Sequence, residues 1–430
     1  MERSMHRRLL TGLLIAGIAA AAPTTRRLTL KDAEAMALRQ HPALQSAKAL
    51  QRAALEVPKE VRSRLLPTVS ASMTAAGITS EEARLFAGGL NSPSVYNRVA
   101  SSATVSQLIT DFGRTRNLAA SADLRAQAQE EFSSTTRAQV LLQVDRSYYA
   151  TLRAQRVLDV AKATVEARQL VADQARALQE SKLRSALDVT FARVNLEEAR
   201  LLLSNAENEE RSALADLASA MGISAQESYE LVEDPLPVNL ADRVDGLIDE
   251  ALKSRPELKQ ARLEANAAAK LASAERALRY PTVSAIANAG VATLHTDRFQ
   301  GDWAAAGINM DIPIFNGGLF SARRSEAEAR TEAALQLARD AENRVARDVR
   351  VAYLAAVNAY QRLQLTAQLL QQSEESLSLA QARYQLGLSS IVELSQAQLN
   401  VTRAQIAQVS AKFDYQGQRA LLAFQTGELK

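Results

Sequence analysis

The sequence contains no cysteine and has little proline, glycine or aromatic content. It has 10 prolines, 16 glycines and 4% aromatic residues in 430 positions. The lack of cysteine excludes disulfide bonds, cysteine-ligated metals, cysteine nucleophiles and a lipid-anchoring cysteine. Because proline and glycine interrupt helices, their scarcity predicts helices with few breaks.

Histidine is also scarce, and the chain carries little net charge. Both facts limit the functions that the protein can have. The sequence has three histidines and no glycine-rich loop that could bind a phosphate, so it contains no motif typical of an enzyme. We therefore expect neither catalysis nor a cofactor or metal. The formal net charge of +3 gives no reason to expect nucleic acid as a partner. Beyond the N-terminus, no run reaches the 18 or more apolar residues of a membrane-spanning helix.

The N-terminus has the features of an export signal. Three arginines flank or precede an apolar stretch from Leu9 to Ala22, which ends in small residues suited to cleavage. This stretch is too short to span a membrane. We therefore expect residues 1–22 to be a signal peptide, with an N-terminal membrane anchor as the alternative.

What the sequence does contain is alanine and leucine among charged residues and glutamine, a composition typical of long helices. One pattern occurs twice: a short helix, a strand hairpin, a very long helix, a turn and a second long helix. We expect the repeats at 23–222, with its hairpin at 67–113, and at 240–427, with its hairpin at 281–318. Residues 223–239 are the expected linker.

Four segments alternate apolar and polar residues. In the first, Val69, Ala71 and Met73 share one face, and the runs 99–109, 281–291 and 304–314 follow the same rule. Period two predicts strands, and each run has about the 9–11 residues of a membrane-crossing strand. Four strands cannot close a barrel in lipid, so several chains are expected to contribute to one barrel.

Aromatic side chains lie in or beside these four strands, a distribution typical of membrane interfaces. The alternative is that they form the ordinary core of two soluble hairpins. The predicted barrel-interface aromatics are Phe86, Tyr96, Phe112, Tyr280, Phe299, Trp303 and Phe315.

The helices of each repeat are interrupted in a regular way. Pro42 and Pro256 are each expected to occupy the first turn of a new helix. We expect His41, which precedes the first of these prolines, to be solvent-exposed. Residues 114–181 and 319–385 contain no proline and predict helices about 100 Å long at roughly 1.5 Å per residue.

A turn and a capped helix start follow each long helix. Gly387 permits the turn, and Ser390 with Glu393 predicts a capping box in which each side chain bonds the other residue's amide. Ser185 and Asp188 stand 205 positions earlier. The first turn has no glycine, so the second is the better candidate for a functional surface.

Several motifs occur along the chain in a specific order. They are Leu28-Thr-Leu-Lys-Asp-Ala, His41-Pro42, two Pro-Thr-Val strand openings, Asp111-Phe-Gly-Arg, Ile312-Pro-Ile-Phe-Asn-Gly-Gly and Tyr384-Gln-Leu-Gly-Leu-Ser-Ser-Ile-Val-Glu. Through them the sequence resembles the TolC family of outer-membrane channel proteins. The resemblance implies a mainly α-helical homotrimer in which four β-strands per chain form a 12-stranded transmembrane β-barrel. The long antiparallel helices then form a periplasmic tunnel.

The resemblance also implies a function and partners. The chain would lie in the outer-membrane lipid of a Gram-negative type envelope, extend into the periplasm, and serve a tripartite efflux pump or type I secretion system as its exit duct. Substrates would come from an inner-membrane transporter of the RND, ABC or MFS type through a periplasmic adaptor protein. The alternative is a pore-free periplasmic coiled-coil adaptor or scaffold.

The same resemblance assigns residues to the two turns. Tyr384 and Asp188 match a pair that links neighbouring helices in a closed entrance, and Glu393 matches an acidic position inside the constriction. Gln396 and Ser389 stand where some members have a second acid and a basic residue. Helix capping alone would also explain Asp188 and Glu393. The implied gate residues are Asp188, Tyr384, Glu393 and Gln396, and the implied adaptor-docking residues are Leu386, Gly387, Leu388, Ser389 and Leu183.

Overall fold

The computed structural model describes residues 26–76, 98–224, 229–236, 243–294 and 301–429. The predicted signal peptide lies outside these residues, as do three of the predicted interface aromatics, Phe86, Tyr96 and Phe299.

The elements follow one another twice in the same order. The first series is β1 (Arg26–Leu28), α1 (Leu30–Gln40), α2 (Pro42–Ser63), β2 (Thr68–Ala76), β3 (Arg98–Thr110), α3 (Arg114–Glu180) and α4 (Ala186–Ala220). The second is β4 (Tyr229–Leu231), α5 (Val244–Ser254), α6 (Pro256–Arg276), β5 (Thr282–Leu294), β6 (Asp302–Asp311), α7 (Leu319–Gln385) and α8 (Ile391–Thr426).

The prolines begin helices, as predicted, because a first-turn residue needs no amide hydrogen. Pro42 begins α2 and Pro256 begins α6. The prediction that His41 is solvent-exposed is wrong. Its ring is half-buried, and its Nδ1 accepts a hydrogen bond from the Ala43 amide at 3.2 Å, so His41 caps α2.

The four predicted strands form one antiparallel sheet in the order β2-β3-β5-β6. The two hairpins are joined through β3 and β5, whose register shifts between Leu108 and Thr110. Within the described residues, β2 and β6 each pair along one side only. Strand β6 ends at Asp311, so Ile312 and Ile314, which we expected on its apolar face, lie beyond it.

The sheet has one apolar and one polar face, and the apolar face is open to solvent in the single chain. Met73 is 76% exposed and Ile308 is 74% exposed, and Val69 and Val291 on the same face are also exposed. A soluble hairpin would bury such a face, so this exposure argues against the soluble-core alternative.

The long helices begin directly at the end of the sheet. Helices α3 and α7 each contain 67 residues, which is about 100 Å at roughly 1.5 Å per residue. Before α3, the Asp111 carboxylate accepts hydrogen bonds from the amides of Gly113 and Thr115, which satisfies amides at the helix start. The sheet and the helix tips therefore lie at opposite ends of long, uninterrupted helices.

A second, smaller sheet, which no sequence pattern predicted, lies beside the helices. Strand β4, within the segment predicted as a linker, pairs in parallel with β1. The buried Tyr148 hydroxyl lies 2.9 Å from the Leu28 carbonyl and 2.6 Å from the Val232 carbonyl. Leu217 and Phe413 complete this core, which ties the segment between the halves to both of them.

None of the helices in the described ranges has the length and apolar character of a membrane-crossing helix.

Candidate entrance gate at the helix tips

The two turns that connect the long helices have the same backbone geometry. Lys182 adopts a left-handed conformation with φ 58°, and Gly387 adopts one with φ 73°. The amides of Leu183 and Leu388 each donate to a carbonyl five residues earlier at 2.8 Å. Both are Schellman turns, which satisfy the last carbonyls of a helix. The first connection therefore forms the same turn without a glycine.

The helix starts after the turns differ from the prediction. Ser185 and Asp188 form a complete capping box, with both bonds at 3.2 Å. At the second tip, the Ser390 hydroxyl accepts from the Glu393 amide at 3.3 Å, but no return bond forms. The Glu393 carboxylate lies 3.4 Å from Nε of Arg383 instead. The prediction of a capping box at Ser390 is therefore wrong.

Tyr384 is the buried centre of the second tip. Its side chain is 7% exposed and packs with Ile391 and Leu394. Within the described residues, its hydroxyl is buried without a hydrogen-bond partner. A buried, unpaired hydroxyl is costly, so a hydrogen-bond partner from a neighbouring chain would stabilise this arrangement.

Arg184 joins the two tips, a role that no sequence pattern predicted. Its guanidinium carbon lies 4.4 Å from the centroid of the Tyr384 ring, and its Nη2 donates to the Tyr384 carbonyl at 2.9 Å. The first contact is a cation–π interaction, and the second adds a donor to a carbonyl that also accepts from the Gly387 amide. The only sequence signal was a cation directly before the capping serine Ser185.

Asp188 lies close enough to Tyr384, its implied partner, to affect the pKa of the tyrosine hydroxyl. Burial raises the pKa of the Tyr384 hydroxyl, the charge of Arg184 lowers it, and the charge of Asp188 raises it. The Asp188 carboxylate accepts from the Ser185 amide. The structure thus brings Asp188 near Tyr384 while its carboxylate caps α4.

Glu393 and Gln396 lie together in a groove between α7 and α8. The groove encloses about 540 Å³, and its other polar walls include Arg383 and Asn400. Gln396 donates from Nε2 to Oδ1 of Asn400 at 3.0 Å. Arg383 pairs with Glu393, and Glu375 adds a second carboxylate to the groove wall, so the groove has more acidic than basic side chains.

Polar contacts link the two helical hairpins above the tips. The buried Arg168 on α3 donates to the Gln398 side chain and, at 3.5 Å, to the Ser395 carbonyl. Asn195 donates to the Ser395 hydroxyl at 2.8 Å. Burial lowers the pKa of Arg168, and the charge of Glu198 opposes this shift. These bonds fix the position of one tip relative to the other.

The implied docking residues form an exposed apolar rim. Leu183, Leu386 and Leu388 are exposed at the turns, with Gly387 between the last two. Ser389 is half-buried, and its hydroxyl has no hydrogen-bond partner within the described part of the chain. Three exposed leucines on two adjacent turns form an apolar patch, and exposed apolar patches are typical of surfaces that a partner covers.

The described aromatics occupy both ends of the large sheet. The rings of Phe112 and Tyr280 lie 5.3 Å apart at the helical end, where Phe315 is also exposed. Trp303 lies at the opposite end, near the start of β6, and is 45% exposed.

Comparison with known proteins identifies this architecture. The sequence is 25% identical over 304 residues to the toluene efflux pump outer membrane protein TtgC of Pseudomonas putida, covering 69% of this chain and 62% of that protein. It is 24% identical over 395 residues to the outer membrane protein TolC of Escherichia coli, covering 87% of this chain and 77% of TolC. The chain thus spans less than two thirds of the length of TtgC.

The fold is that of a solved membrane protein from Pseudomonas aeruginosa. That crystal structure superimposes with a TM-score of 0.80 at 23% identity and covers 93% of each chain. This likeness establishes the fold of the chain. The chain belongs to the outer membrane efflux protein family, whose sequence model matches residues 35–223 and 247–428.

Membership in this family confirms the resemblance found in the sequence. The family consists of transport channels rather than enzymes. It places the chain in the outer membrane of a Gram-negative envelope, with the protein extending into the periplasm.

Proposed function

We propose that this chain is the exit duct of a tripartite efflux pump or a type I secretion system. It passes substrates from an inner-membrane transporter to the exterior through a gated channel. The observation that carries the proposal is the large sheet, whose apolar face is exposed and which continues directly into helices of about 100 Å. The family to which the chain belongs supports this reading.

The channel is a homotrimer in this proposal. A sheet with open edges at β2 and β6 leaves backbone groups unpaired, which lipid does not tolerate. Pairing β6 of one chain with β2 of the next removes every edge. Three copies supply 12 strands, and each chain also adds two helical hairpins to a periplasmic tunnel. The repeats at 23–222 and 240–427, joined through 223–239, are the units of this assembly.

The adaptor docks on the tips in this proposal. Leu183, Leu386 and Leu388 supply exposed apolar area, and the rigid turns at Lys182 and Gly387 present it. A periplasmic adaptor with apolar side chains at its own helix ends fits such a surface. The inner-membrane transporter, of the RND, ABC or MFS type, reaches the duct through this adaptor.

The entrance is closed at rest by the contacts around Tyr384. Arg184 holds the ring and the carbonyl of Tyr384, and Asp188 lies close enough to influence its hydroxyl. Glu393 and Gln396 line the adjoining groove, where they contact solutes that enter.

Reconstitution into planar lipid bilayers tests the function directly. The purified mature protein is expected to insert, to migrate as a trimer after cross-linking, and to give discrete single-channel currents. A soluble protein that remains outside the outer-membrane fraction and gives no current would support the adaptor or scaffold alternative. That alternative leaves the exposed sheet face without a role.

A further inference from the structure

The strand register places Trp303 on the polar face of the large sheet. Trp303 lies directly opposite Gly290, Gly290 opposite Ser102, and Ser102 opposite Ser72. Directly opposite residues of neighbouring strands point to the same face. Met73 and Ile308, which are each offset by an odd number of residues from this row, therefore point to the other face.

The packing of the indole confirms this orientation. A Cβ atom built on Gly290 would lie 2.9 Å from two atoms of the Trp303 ring and 2.7 Å from the Ser101 carbonyl oxygen. The ring therefore covers Gly290 on the side where a side chain would stand. Glycine makes room for the aromatic ring, and the ring shields the glycine backbone.

Small side chains surround the indole on this face. Ser72, Ser102 and Gly290 complete the row of Trp303, and Asn288 and Ala305 lie in the next row towards the helices. The indole is therefore the one large side chain of its row, and it is 45% exposed. The opposite face presents the exposed apolar side chains, including Met73 and Ile308.

In a membrane barrel, apolar residues face lipid and the alternate residues face the lumen. We infer that Trp303 projects into the lumen near its outer mouth and acts as a contact surface for flat aromatic or cationic solutes leaving the channel. The inference rests on the proposed function and differs from the expectation that Trp303 is an interface aromatic. Gly290 is eight residues beyond Thr282, the first residue of β5. At roughly 3.3 Å per residue, Gly290 and Trp303 therefore lie about 26 Å from the helical end of the sheet.

The chemistry of the indole fits such solutes. An indole face attracts cations through its quadrupole and stacks on aromatic rings. A homotrimer carries three such faces at one level. The serines beside them offer only neutral hydroxyl groups, and the neighbouring Asp302 points to the opposite face by the strand register.

Fluorescence tests the placement, because the sequence contains a single tryptophan. The trimer is reconstituted in phosphatidylcholine vesicles, with Trp303→Phe as the non-emitting control. We expect acrylamide in the water to cause a large loss of Trp303 emission and brominated phosphatidylcholine to cause little loss.

Two variants calibrate the measurement in the Trp303→Phe background. Ile308→Trp, on the apolar face, is expected to lose emission in brominated lipid, whereas Ala305→Trp, on the polar face, is expected to respond like Trp303. If brominated lipid quenches Trp303 as it quenches Ile308→Trp, the lumenal placement is wrong. Single-channel currents from the same protein show separately whether the proposed channel function holds.

The solute contact is tested with N-methylpyridinium, a flat aromatic cation. The reference is free N-acetyltryptophanamide, and each quenching constant is divided by the constant for acrylamide on the same sample. A higher ratio for Trp303 than for the free indole supports a binding contact. An equal or lower ratio overturns it, even where the acrylamide result places the ring in the lumen.

Discussion

At the scale of single residues, Arg184 is the strongest candidate for control of the entrance. Replacing it with alanine removes a cation–π contact and a hydrogen bond to a backbone carbonyl, each worth about 1 kcal/mol. We predict that Arg184→Ala raises the single-channel conductance in planar bilayers, because the two tips separate more easily. Arg193→Ala, at an exposed arginine on α4, the helix that follows the turn of Arg184, is the control and should leave the conductance unchanged.

The buried hydroxyl of Tyr384 gives a second prediction. Because it has no hydrogen-bond partner within the described residues, Tyr384→Phe should not lower the melting temperature of the isolated chain. In the trimer, we predict that Tyr384→Phe combined with Asp188→Asn increases conductance, since a closing bond between tip helices would be lost. Unchanged conductance in this double variant would sink the hypothesis that the pair holds the entrance closed.

Lys182 and Gly387 allow the same turn to be compared with and without glycine. A residue other than glycine in the left-handed region costs roughly 1–2 kcal/mol. We predict that Lys182→Gly stabilises the first tip and that Gly387→Ala destabilises the second by about 1 kcal/mol. Hydrogen exchange of the amides at Leu183 and Leu388 measures both effects locally. Equal exchange in wild type and both variants would contradict the strain argument.

At the scale of elements, a carboxyl pair lies where α1 packs against α3. Burial raises the pKa of Asp145 to about 8, and the charge of Glu34 and a hydrogen bond with it add to the shift. Between the ordinary value of 3.8 and about 8, the folded protein keeps a proton that the unfolded chain has lost. The free energy of unfolding therefore falls as the pH rises through this range.

Replacing this carboxyl with a neutral side chain of similar shape tests the coupling. We predict that Asp145→Asn weakens the fall of the melting temperature between pH 5 and pH 8.5 and stabilises the protein at the upper end. Asp173→Asn, an exposed acid on the same helix, is the matched control. A pH profile of Asp145→Asn that overlays the wild type would show that Asp145 is ionised in the folded state at neutral pH.

The elements differ in how far the sequence could predict them. The four sheet strands and the proline-led helices were predictable, because period-two alternation and proline geometry act over neighbouring residues. The pairing of Arg26–Leu28 with Tyr229–Leu231 was not, because three residues carry no period. The capping box at Ser390 failed for another reason. Arg383, ten positions before Glu393, competes for its carboxylate, and only the folded turn brings the two together.

At the scale of the whole molecule, the open edges of the sheet predict where chains meet. The protein has no cysteine, so an introduced pair reports a single contact. We predict that Ser70→Cys on β2, combined in turn with cysteine at Ala305, Gly307 and Asn309 on β6, gives a disulfide-linked trimer in at least one combination. Within one chain, two strands separate these positions, well beyond the roughly 7 Å limit for a disulfide between Cα atoms.

An inner strand provides the control for this experiment. Cysteine at Thr104 on β3, opposite Ser70, combined with the same β6 positions, should give no linked trimer, because β3 is paired on both sides. Linkage from β3 at the same yield as from β2 would contradict the proposed closure through β6 and β2.

The small parallel pairing of β1 with β4 also sets an order for folding. It joins Arg27 to Glu230, 203 positions apart. Of the residues that form its surrounding core, only Phe413 and the partly buried Val409 come after residue 231. The large sheet must wait longer, because β3 pairs with β5 of the second half. During that interval, the first hairpin exposes an apolar strand face to the aqueous periplasm, and such species aggregate readily. We therefore expect survival of the protein during biogenesis to depend on how quickly the second hairpin follows the first, or on a chaperone that covers the exposed strands.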